Sequence, residues 1–441
     1  MTEKNVTTKK RNDFIVIGLA LFAMFFGAGN LIFPPSIGIE SGNAFVFSTI
    51  GFFITGIGIP LLGVLAISKS GGTVFTFANK CGNIPGKIYG VIVVMAIGPL
   101  LAIPRTAATT YEMGIVPIFG NISPLLVSII YFAITLAFVL KPSSLIDNIG
   151  KILTPVILLI LAILIFKGIK TPIGDLKEGS SMIAFSKGFF GGYQTMDALS
   201  AIVLGVIVIN SVKDKGYTDE VIQRKMILKS SLIAASGLAV VYGGLLYLGA
   251  TASNVYPADI SKTKLVINIA SAILGSSGKY LLGICVAFAC LTTSIGLTAT
   301  IGDYFHNLSN KKLKYEHVVI ATAVFSTAMA VGGVEKIVLI SVPLLNMIYP
   351  LSIVLIILNL FADKINGLLP YQGALIGAFI VSFNDCLNSA GLTIGFLNNI
   401  MSKLFLAKQG FGWLLPAIIG FIIASMISNI KSNNKDLKKA S

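Results

Sequence analysis

Charged side chains are scarce in this sequence. Only 12% of its 441 residues are Asp, Glu, Lys or Arg, whereas soluble domains carry about 25%. Hydrophobic residues make up 55% of the chain, and the mean hydropathy is +0.89. These values exclude an ordinary soluble protein and predict a chain embedded in membrane lipid. They leave little room for an extramembrane catalytic domain.

Histidine and cysteine are also rare. The two histidines, His306 and His317, flank a basic segment, and the four cysteines are scattered without a paired spacing. This pattern fits neither a disulfide framework nor a zinc site. We therefore interpret the cysteines as small packing residues and expect neither a histidine metal centre nor an organic cofactor.

Acidic residues are fewer than basic ones, at 18 against 33, which gives a net charge of +15. In a soluble protein this excess would suggest a nucleic-acid partner. In a membrane protein the same residues set topology and contact anionic lipid. We therefore expect no nucleic-acid partner.

Twelve apolar stretches approach the roughly 20 residues needed to cross the hydrocarbon core. They lie near residues 14–36, 44–67, 88–111, 117–140, 150–167, 183–210, 227–250, 279–303, 317–333, 337–361, 369–389 and 411–430. The first is too long for a signal-peptide core, so we interpret it as a retained helix. Helices at 73–80 and 262–275 are expected not to cross. Because 390–408 is ambiguous, eleven or thirteen crossings stay open.

Lysine and arginine are divided unequally between the two predicted sides of the membrane. If the N-terminus is cytoplasmic, the inner segments carry 22 of the 33 basic residues and the outer segments carry 9, while Arg105 and Lys187 lie within spans. Cytoplasmic loops are enriched in such residues. The imbalance predicts an even number of crossings, with both termini in the cytoplasm.

Spans 1 and 6 share an unusual motif. Residues 25–30 read FFGAGN and residues 189–194 read FFGGYQ, so each has two aromatics, then glycine, then a carboxamide. The starts of the two copies are five spans apart, which is an odd number, so the copies run in opposite directions. This indicates an inverted repeat with discontinuous helices that meet near the membrane midplane. The alternative is that the glycines only permit close helix packing.

An interrupted helix in hydrocarbon leaves backbone groups that need a partner. Free N–H groups suit a carboxylate, and free C=O groups suit a cation or an ammonium group. The two interruptions therefore predict a site for a zwitterionic amino acid and a small cation.

Span 8 carries a stripe of small and hydroxyl-bearing residues. Positions 289, 292, 293, 296 and 300 share one helix face and are Ala, Thr, Thr, Gly and Thr. Neutral oxygens of this kind suit a hard cation. The alternative is that these hydroxyls bond to backbone carbonyls one turn earlier.

The run FAMFFGAGNLIFPP at residues 22–35 resembles the bacterial branched-chain amino acid:cation symporter family, and the likeness extends over essentially the whole chain. Family members take up leucine, isoleucine and valine. The resemblance implies an all-α polytopic membrane protein of the leucine-transporter-type fold, with a 5+5 inverted repeat, discontinuous helices 1 and 6 and two C-terminal helices. The implied units are a cytoplasmic tail (1–13), two repeats (14–170 and 171–361), two further spans (362–430) and a second cytoplasmic tail (431–441).

The resemblance also implies an ion site and a substrate site. Na⁺ would bind carbonyls of Ala23, Phe26 and Ala289 and the hydroxyls of Thr292 and Thr293. The substrate carboxylate would lie near the backbone of Ala28 and Gly29, and the ammonium near carbonyls of Phe25, Phe190 and Gly191. The remaining implied substrate residues are Asn30 and the pocket side chains Ala102, Thr106, Phe190, Met196, Thr293 and Leu297.

Two positions depart from the leucine-transporter pattern. Thr106 stands where those proteins have a carboxylate-capping tyrosine, and Gly191 stands where they offer a hydroxyl to a second sodium site. Asn30 matches a ligand of that second site, but it could equally satisfy exposed backbone at the break. We therefore expect one ion per transport cycle.

Three ionisable residues lie within predicted spans, where charge is costly. Asp197 is expected to cap the inner half of span 6, with coupling to a proton or ion as the alternative. Arg105 is expected toward the outer end of span 3, paired with Glu112 or attracting anionic groups. Lys187 is expected to reach the outer surface without a further role.

Together these features predict a bacterial plasma-membrane symporter of leucine, isoleucine and valine with Na⁺. Alternating access would rock spans 1, 2, 6 and 7 against spans 3, 4, 8 and 9. Proton coupling through Asp197 remains open. A membrane-embedded enzyme is disfavoured because no nucleophile motif is recognised, and a channel because two broken helices surround one site. We expect no obligatory protein partner.

Overall fold

The computed structural model describes residues 13–140 and 145–440. The described ranges are helical with short connections and contain no strand, as the sequence predicts. Residues 1–12 of the predicted N-terminal tail and Ser441 of the C-terminal tail lie outside the described residues.

The N-terminal half consists of seven helices, several of them irregular. They are α1 (Asp13–Phe25), α2 (Ala28–Ser41), α3 (Phe45–Phe53, then a π-helical turn at Ile54–Gly58, then Ile59–Lys69), α4 (Val74–Ala78), α5 (Asn83–Met95, Ala96–Leu100, Ala102–Thr109, Thr110–Ile115 and Val116–Phe119), α6 (Pro124–Val139) and α7 (Leu145–Lys170).

The C-terminal half continues with ten helices. They are α8 (Ser181–Thr195), α9 (Asp197–Asp214), α10 (Glu220–Thr251), α11 (Lys262–Leu274), α12 (Gly278–Leu308), α13 (Tyr315–Ala330), α14 (Gly333–Leu360), α15 (Leu369–Ser389), α16 (Gly395–Met401) and α17 (Leu414–Ala440).

Within the described ranges, seven helical stretches are long and apolar enough to cross a membrane. Three of these join consecutive helices, namely Ala28–Lys69, Ser181–Asp214 and Lys262–Leu308, while α1 and α6 are shorter apolar helices. Large apolar side chains such as Ile418, Ile422 and Met426 are exposed on α17, where lipid would cover them. The multi-pass prediction is confirmed, and the figure of twelve crossings stays a prediction.

Small residues bring the helices around the two interruptions close together. Gly188 of α8 lies against the backbone of Ser48 on α3, and Gly51 of α3 lies against the backbone of Phe185 and Phe189. A side chain at either glycine would collide with backbone, which cannot move aside as a flexible side chain can. Such close approach is typical of helix packing in membranes, and it holds α8 firmly against α3.

Candidate functional site

The first interruption lies where the sequence predicts it, between α1 and α2. Gly27 has an extended backbone (φ −128°, ψ −160°), and its N–H donates to the side-chain Oδ1 of Asn30 at 3.0 Å. Asn30 thereby satisfies one of the N–H groups that a helix start leaves open. The predicted role of Asn30 at exposed backbone is therefore present in the structure.

The second interruption lies later than the sequence predicts. Helix α8 continues through Gly191 and Gly192 to Thr195, and the break falls at Met196, which adopts the left-handed conformation with φ of +64°. A Cβ on Gly192 would meet Thr55 and the backbone N of Gly56 on α3, and one on Gly191 would meet Ile37 on α2. Both glycines therefore serve close packing, and the expectation that they mark the break is wrong.

A buried network of side chains joins the two interruptions. The Nδ2 of Asn30 donates to Asp197 Oδ2 at 2.8 Å and to the hydroxyl of Tyr242 on α10. The Tyr242 hydroxyl in turn donates to Asp197 Oδ2 at 2.8 Å. All three residues are buried, and Asp197 is only 1% exposed.

The expectation that Asp197 caps the inner half-helix by hydrogen bonding is wrong. Asp197 is the first residue of α9, and its backbone N–H donates to Thr195 Oγ1 at 3.4 Å rather than to its own side chain. Its carboxylate accepts instead from Asn30 and Tyr242, on α2 and α10. The negative charge is still favourably placed beside the free N–H groups of α9.

Arg105 lies in the same layer and is 2% exposed. Its Nη1 donates to the carbonyl of Gln194 near the end of α8 at 2.7 Å, and its guanidinium carbon is 5.3 Å from the centre of the Phe33 ring on α2. The cation thus meets the negative end of the α8 dipole. Arg105 is therefore a buried part of the layer between the breaks, rather than a residue near the outer end of its span.

Glu112 does not pair with Arg105, contrary to expectation. Its Oε1 accepts from the backbone N of Val334 at the start of α14 at 2.8 Å, and its Oε2 accepts from Thr263 on α11 at 2.7 Å. An acidic side chain is stabilising at a helix start. Glu112 therefore connects α11 and α14 to α5.

The predicted ion ligands lie in two hydrogen-bonded pairs next to the first break. Thr293 Oγ1 donates to the carbonyl of Phe26 at 3.3 Å, and Thr292 Oγ1 donates to the carbonyl of Ala289 at 3.0 Å. The fifth, Ala23, is buried on α1 three residues before Phe26. The donor set is made of neutral oxygens, which fits a hard cation.

The predicted substrate residues fall into two groups. Most are buried around the interruptions: Phe25, Ala28, Gly29, Ala102, Thr106, Met196 and Leu297. Phe190 and Gly191 instead line a neighbouring cavity, and Phe190 packs edge-to-face against Tyr193 with ring centres 5.3 Å apart. These two residues lie about one and a half helical turns before the break at Met196.

That cavity has a volume of about 520 Å³ and lies between α2, α8, α14 and α15. At its wall, Lys187 forms an ion pair with Glu40 at 2.7 Å, a role that the sequence did not indicate. Phe33 and Gln194, the two contacts of Arg105, also line it. The cavity therefore ends at the layer that holds Arg105.

Sequence reasoning missed three members of this layer. Tyr242 joins the Asn30–Asp197 pair, Phe33 covers Arg105, and Ser341 on α14 donates to Gln194 Oε1 at 2.9 Å. Tyr242 and Ser341 are polar side chains inside apolar spans, and this was the one sequence feature that could have marked them as members of the site. Their partners come from distant parts of the chain, so no local pattern identifies them.

Among solved structures, the fold resembles Mhp1, described as a nucleobase-cation-symport-1 family transporter, in a closed conformation with bromovinylhydantoin bound. The TM-score is 0.61 at 13% identity, covering 93% of this chain and 90% of that chain. At this identity the likeness concerns the fold alone. The chain is thus an all-helical membrane protein of the leucine-transporter-type fold.

Sequence comparison gives the family. Residues 10–431 match the family described as branched-chain amino acid transport protein. The chain is 40% identical to the branched-chain amino acid permease BraB of Bacillus subtilis (strain 168), over 97% of this chain and 98% of that protein. It is 36% identical to the branched-chain amino acid transport system 2 carrier protein of Pseudomonas aeruginosa, over 95% of this chain and 97% of that protein. The chain belongs to the branched-chain amino acid transport protein family and is a transporter rather than an enzyme.

Proposed function

We propose that this protein imports leucine, isoleucine and valine together with Na⁺ by alternating access, as a multi-pass protein of the bacterial plasma membrane with both termini in the cytoplasm. The substrate class is supported by family membership. Sodium coupling is supported chiefly by the pairing of Thr293 with the carbonyl of Phe26 at the first break.

A Na⁺ ion at this position would connect two parts of the molecule. The hydroxyls of Thr292 and Thr293 belong to α12, whereas Phe26 lies between α1 and α2. Both hydroxyls donate to carbonyls, and each keeps lone pairs that a cation can use. Binding would draw α12 toward the first break, next to the proposed backbone contacts of the substrate at Ala28 and Gly29.

The driving force of one sodium ion is sufficient for uptake. An elementary charge moving through about 100 mV gains about 2.3 kcal/mol, and a tenfold concentration gradient adds about 1.4 kcal/mol. The total of about 3.7 kcal/mol sustains roughly 500-fold accumulation of a zwitterion.

The sodium site is tested by Thr292→Ala. We expect the Na⁺ concentration for half-maximal leucine uptake in reconstituted vesicles to rise about tenfold, which corresponds to a lost interaction of about 1.4 kcal/mol. Protein abundance should change much less, because the bond that the Thr292 hydroxyl makes within the described residues is to the carbonyl of Ala289 in its own helix.

Thr300→Ala is the matched control. Thr300 makes the same type of bond within α12, to the carbonyl of Gly296 at 2.7 Å, but lies about two turns from Thr292. Unchanged sodium activation in Thr292→Ala, or an equal change in both variants, would contradict the proposed ligand.

Proton coupling through Asp197 is the second candidate. It is motivated by the burial of this carboxylate between the two interruptions, bonded to Asn30 and Tyr242. Buried carboxylates at such depth are often functional. If it carries the coupled proton, leucine-driven current should persist without sodium and disappear in Asp197→Asn. We expect instead that leucine-driven current in the wild type requires sodium.

A further inference from the structure

We propose that Arg105 binds the α-carboxylate of the transported amino acid, together with the N–H groups of Ala28 and Gly29. This assignment rests on the proposed function and adds to it a charged residue that recognises the substrate. The substrate class it defines is α-amino acids with a free carboxylate, as opposed to the corresponding amides, alcohols and amines.

The first observation is that the start of α2 keeps open donors. The first N–H groups of any helix have no acceptor within the helix. Asn30 accepts from Gly27, so the open groups that remain in the first turn include those of Ala28 and Gly29. The 14-residue helix places the positive end of its dipole there, and such a position favours a carboxylate.

The second observation is independent and concerns Arg105 itself. Its Nη1 is bonded to the Gln194 carbonyl, but its Nε has no hydrogen-bond partner within the described part of the chain. A guanidinium that is 98% buried normally has its donors satisfied. An open donor on a buried cation therefore indicates a group that is bound during function.

Arg105 and the open helix start face each other. A Cβ added to Gly29 would lie only 2.6 Å from Arg105 Nη2, so the guanidinium rests directly against the glycine backbone. Absence of a side chain at position 29 is what permits this approach. A planar fork of donors beside backbone N–H groups matches the two oxygens of a carboxylate.

A cavity reaches the residues that cover Arg105. The 520 Å³ cavity is lined by Phe33 and Gln194, which are the ring and the carbonyl that contact Arg105. Asp197, buried at the second break, supplies an opposite charge. Because a zwitterion brings no net charge, its entry leaves the net charge of the layer unchanged.

The test compares ligands that differ at the carboxylate only. Leucine and leucinamide are titrated against purified protein in detergent, in the presence of sodium, and binding is followed by thermal stabilisation. We expect wild-type protein to bind leucine at least about 100-fold more tightly than leucinamide. Arg105→Gln should weaken leucine binding about 100-fold and leucinamide binding less than about threefold.

Two further variants separate substrate recognition from a general effect of losing an arginine. Arg105→Lys keeps the charge without the fork and should retain part of the preference for leucine. Arg224→Gln removes an exposed arginine on α10 and should keep the wild-type ratio between the two ligands.

Equal weakening of leucine and leucinamide in Arg105→Gln would overturn the assignment and leave Arg105 a structural role at the end of α8. Wild-type protein that binds leucinamide within about threefold of leucine would overturn it too, and this result needs no variant to fold. If wild-type protein neither binds leucine nor takes it up, the proposed function itself fails and the carboxylate assignment fails with it. Leucine uptake with either of the first two results overturns only the role of Arg105.

Discussion

The two helix interruptions are built differently. At the break between α1 and α2, Gly27 has an extended backbone and the nearby Asn30 side chain accepts its N–H. At the break between α8 and α9, Met196 has a left-handed conformation, and Arg105 from α5 donates to a carbonyl near the end of α8. One presents free N–H groups at the start of α2, and the other presents a carbonyl at the end of α8. Opposite partial charges therefore meet in one buried layer, which is suited to a ligand carrying both charges.

The difference extends to the glycines beside each break. Gly29 adjoins chiefly the end of the Arg105 side chain, with the Thr195 backbone slightly farther away, while Gly192 adjoins Thr55 and the backbone of Gly56. Gly29 therefore leaves room for the Arg105 guanidinium in the site, whereas Gly192 leaves room for the close approach of α3.

This contrast predicts opposite consequences of adding a methyl group. Gly192→Ala should lower the free energy of unfolding by about 1–3 kcal/mol, because the packed α3 backbone cannot move aside. Gly29→Ala should cost less stability than Gly192→Ala, because the nearest atom, Arg105 Nη2, is the end of a side chain, the Thr195 backbone is 3.1 Å away, and alanine favours the helix. It should nevertheless reduce leucine uptake by roughly tenfold, equivalent to about 1.4 kcal/mol.

Thermal unfolding in detergent and uptake in vesicles measure the two effects separately. A Gly192→Ala protein of wild-type stability would show that α8 and α3 are not closely packed there. Normal uptake by Gly29→Ala would show that the guanidinium position is not needed for transport.

A smaller effect is expected where α2 and α8, one helix from each side of the two breaks, are connected by an ion pair. Lys187 on α8 pairs with Glu40 on α2, and both side chains are more than a third exposed. Lys187→Met should cost less than about 0.5 kcal/mol of stability, because exposed ion pairs contribute little. Unfolding measured at low and high salt should differ less in the variant than in the wild type. A loss of several kcal/mol would mean that this pair, rather than the buried layer, holds α2 and α8 together.

The sequence predicted correctly those features that depend on residues close together in the chain. The motif at residues 25–30 located the first break, because glycine and asparagine beside each other carry both the flexibility and the cap. The all-helical fold followed from the apolar stretches, and Thr293 of span 8 lies beside the carbonyl of Phe26.

The second break was misplaced because its signal is not local. Gly191 and Gly192 look flexible in sequence, yet neighbouring helices keep them helical, and the conformation of Met196 is uncommon for a residue with a side chain. Arg105 was misjudged for the same reason, since its partners Phe33 and Gln194 belong to other helices. These contacts depend on tertiary packing, which no single stretch of residues encodes.

The Asn30 side chain has a consequence for how the molecule can move. One planar amide accepts from the Gly27 N–H with its oxygen and donates to Asp197 and Tyr242 with its nitrogen. Rotating the amide to follow one partner turns it away from the others. Moving one break without the other would leave buried polar groups without partners, so such half-changed states are thermodynamically disfavoured.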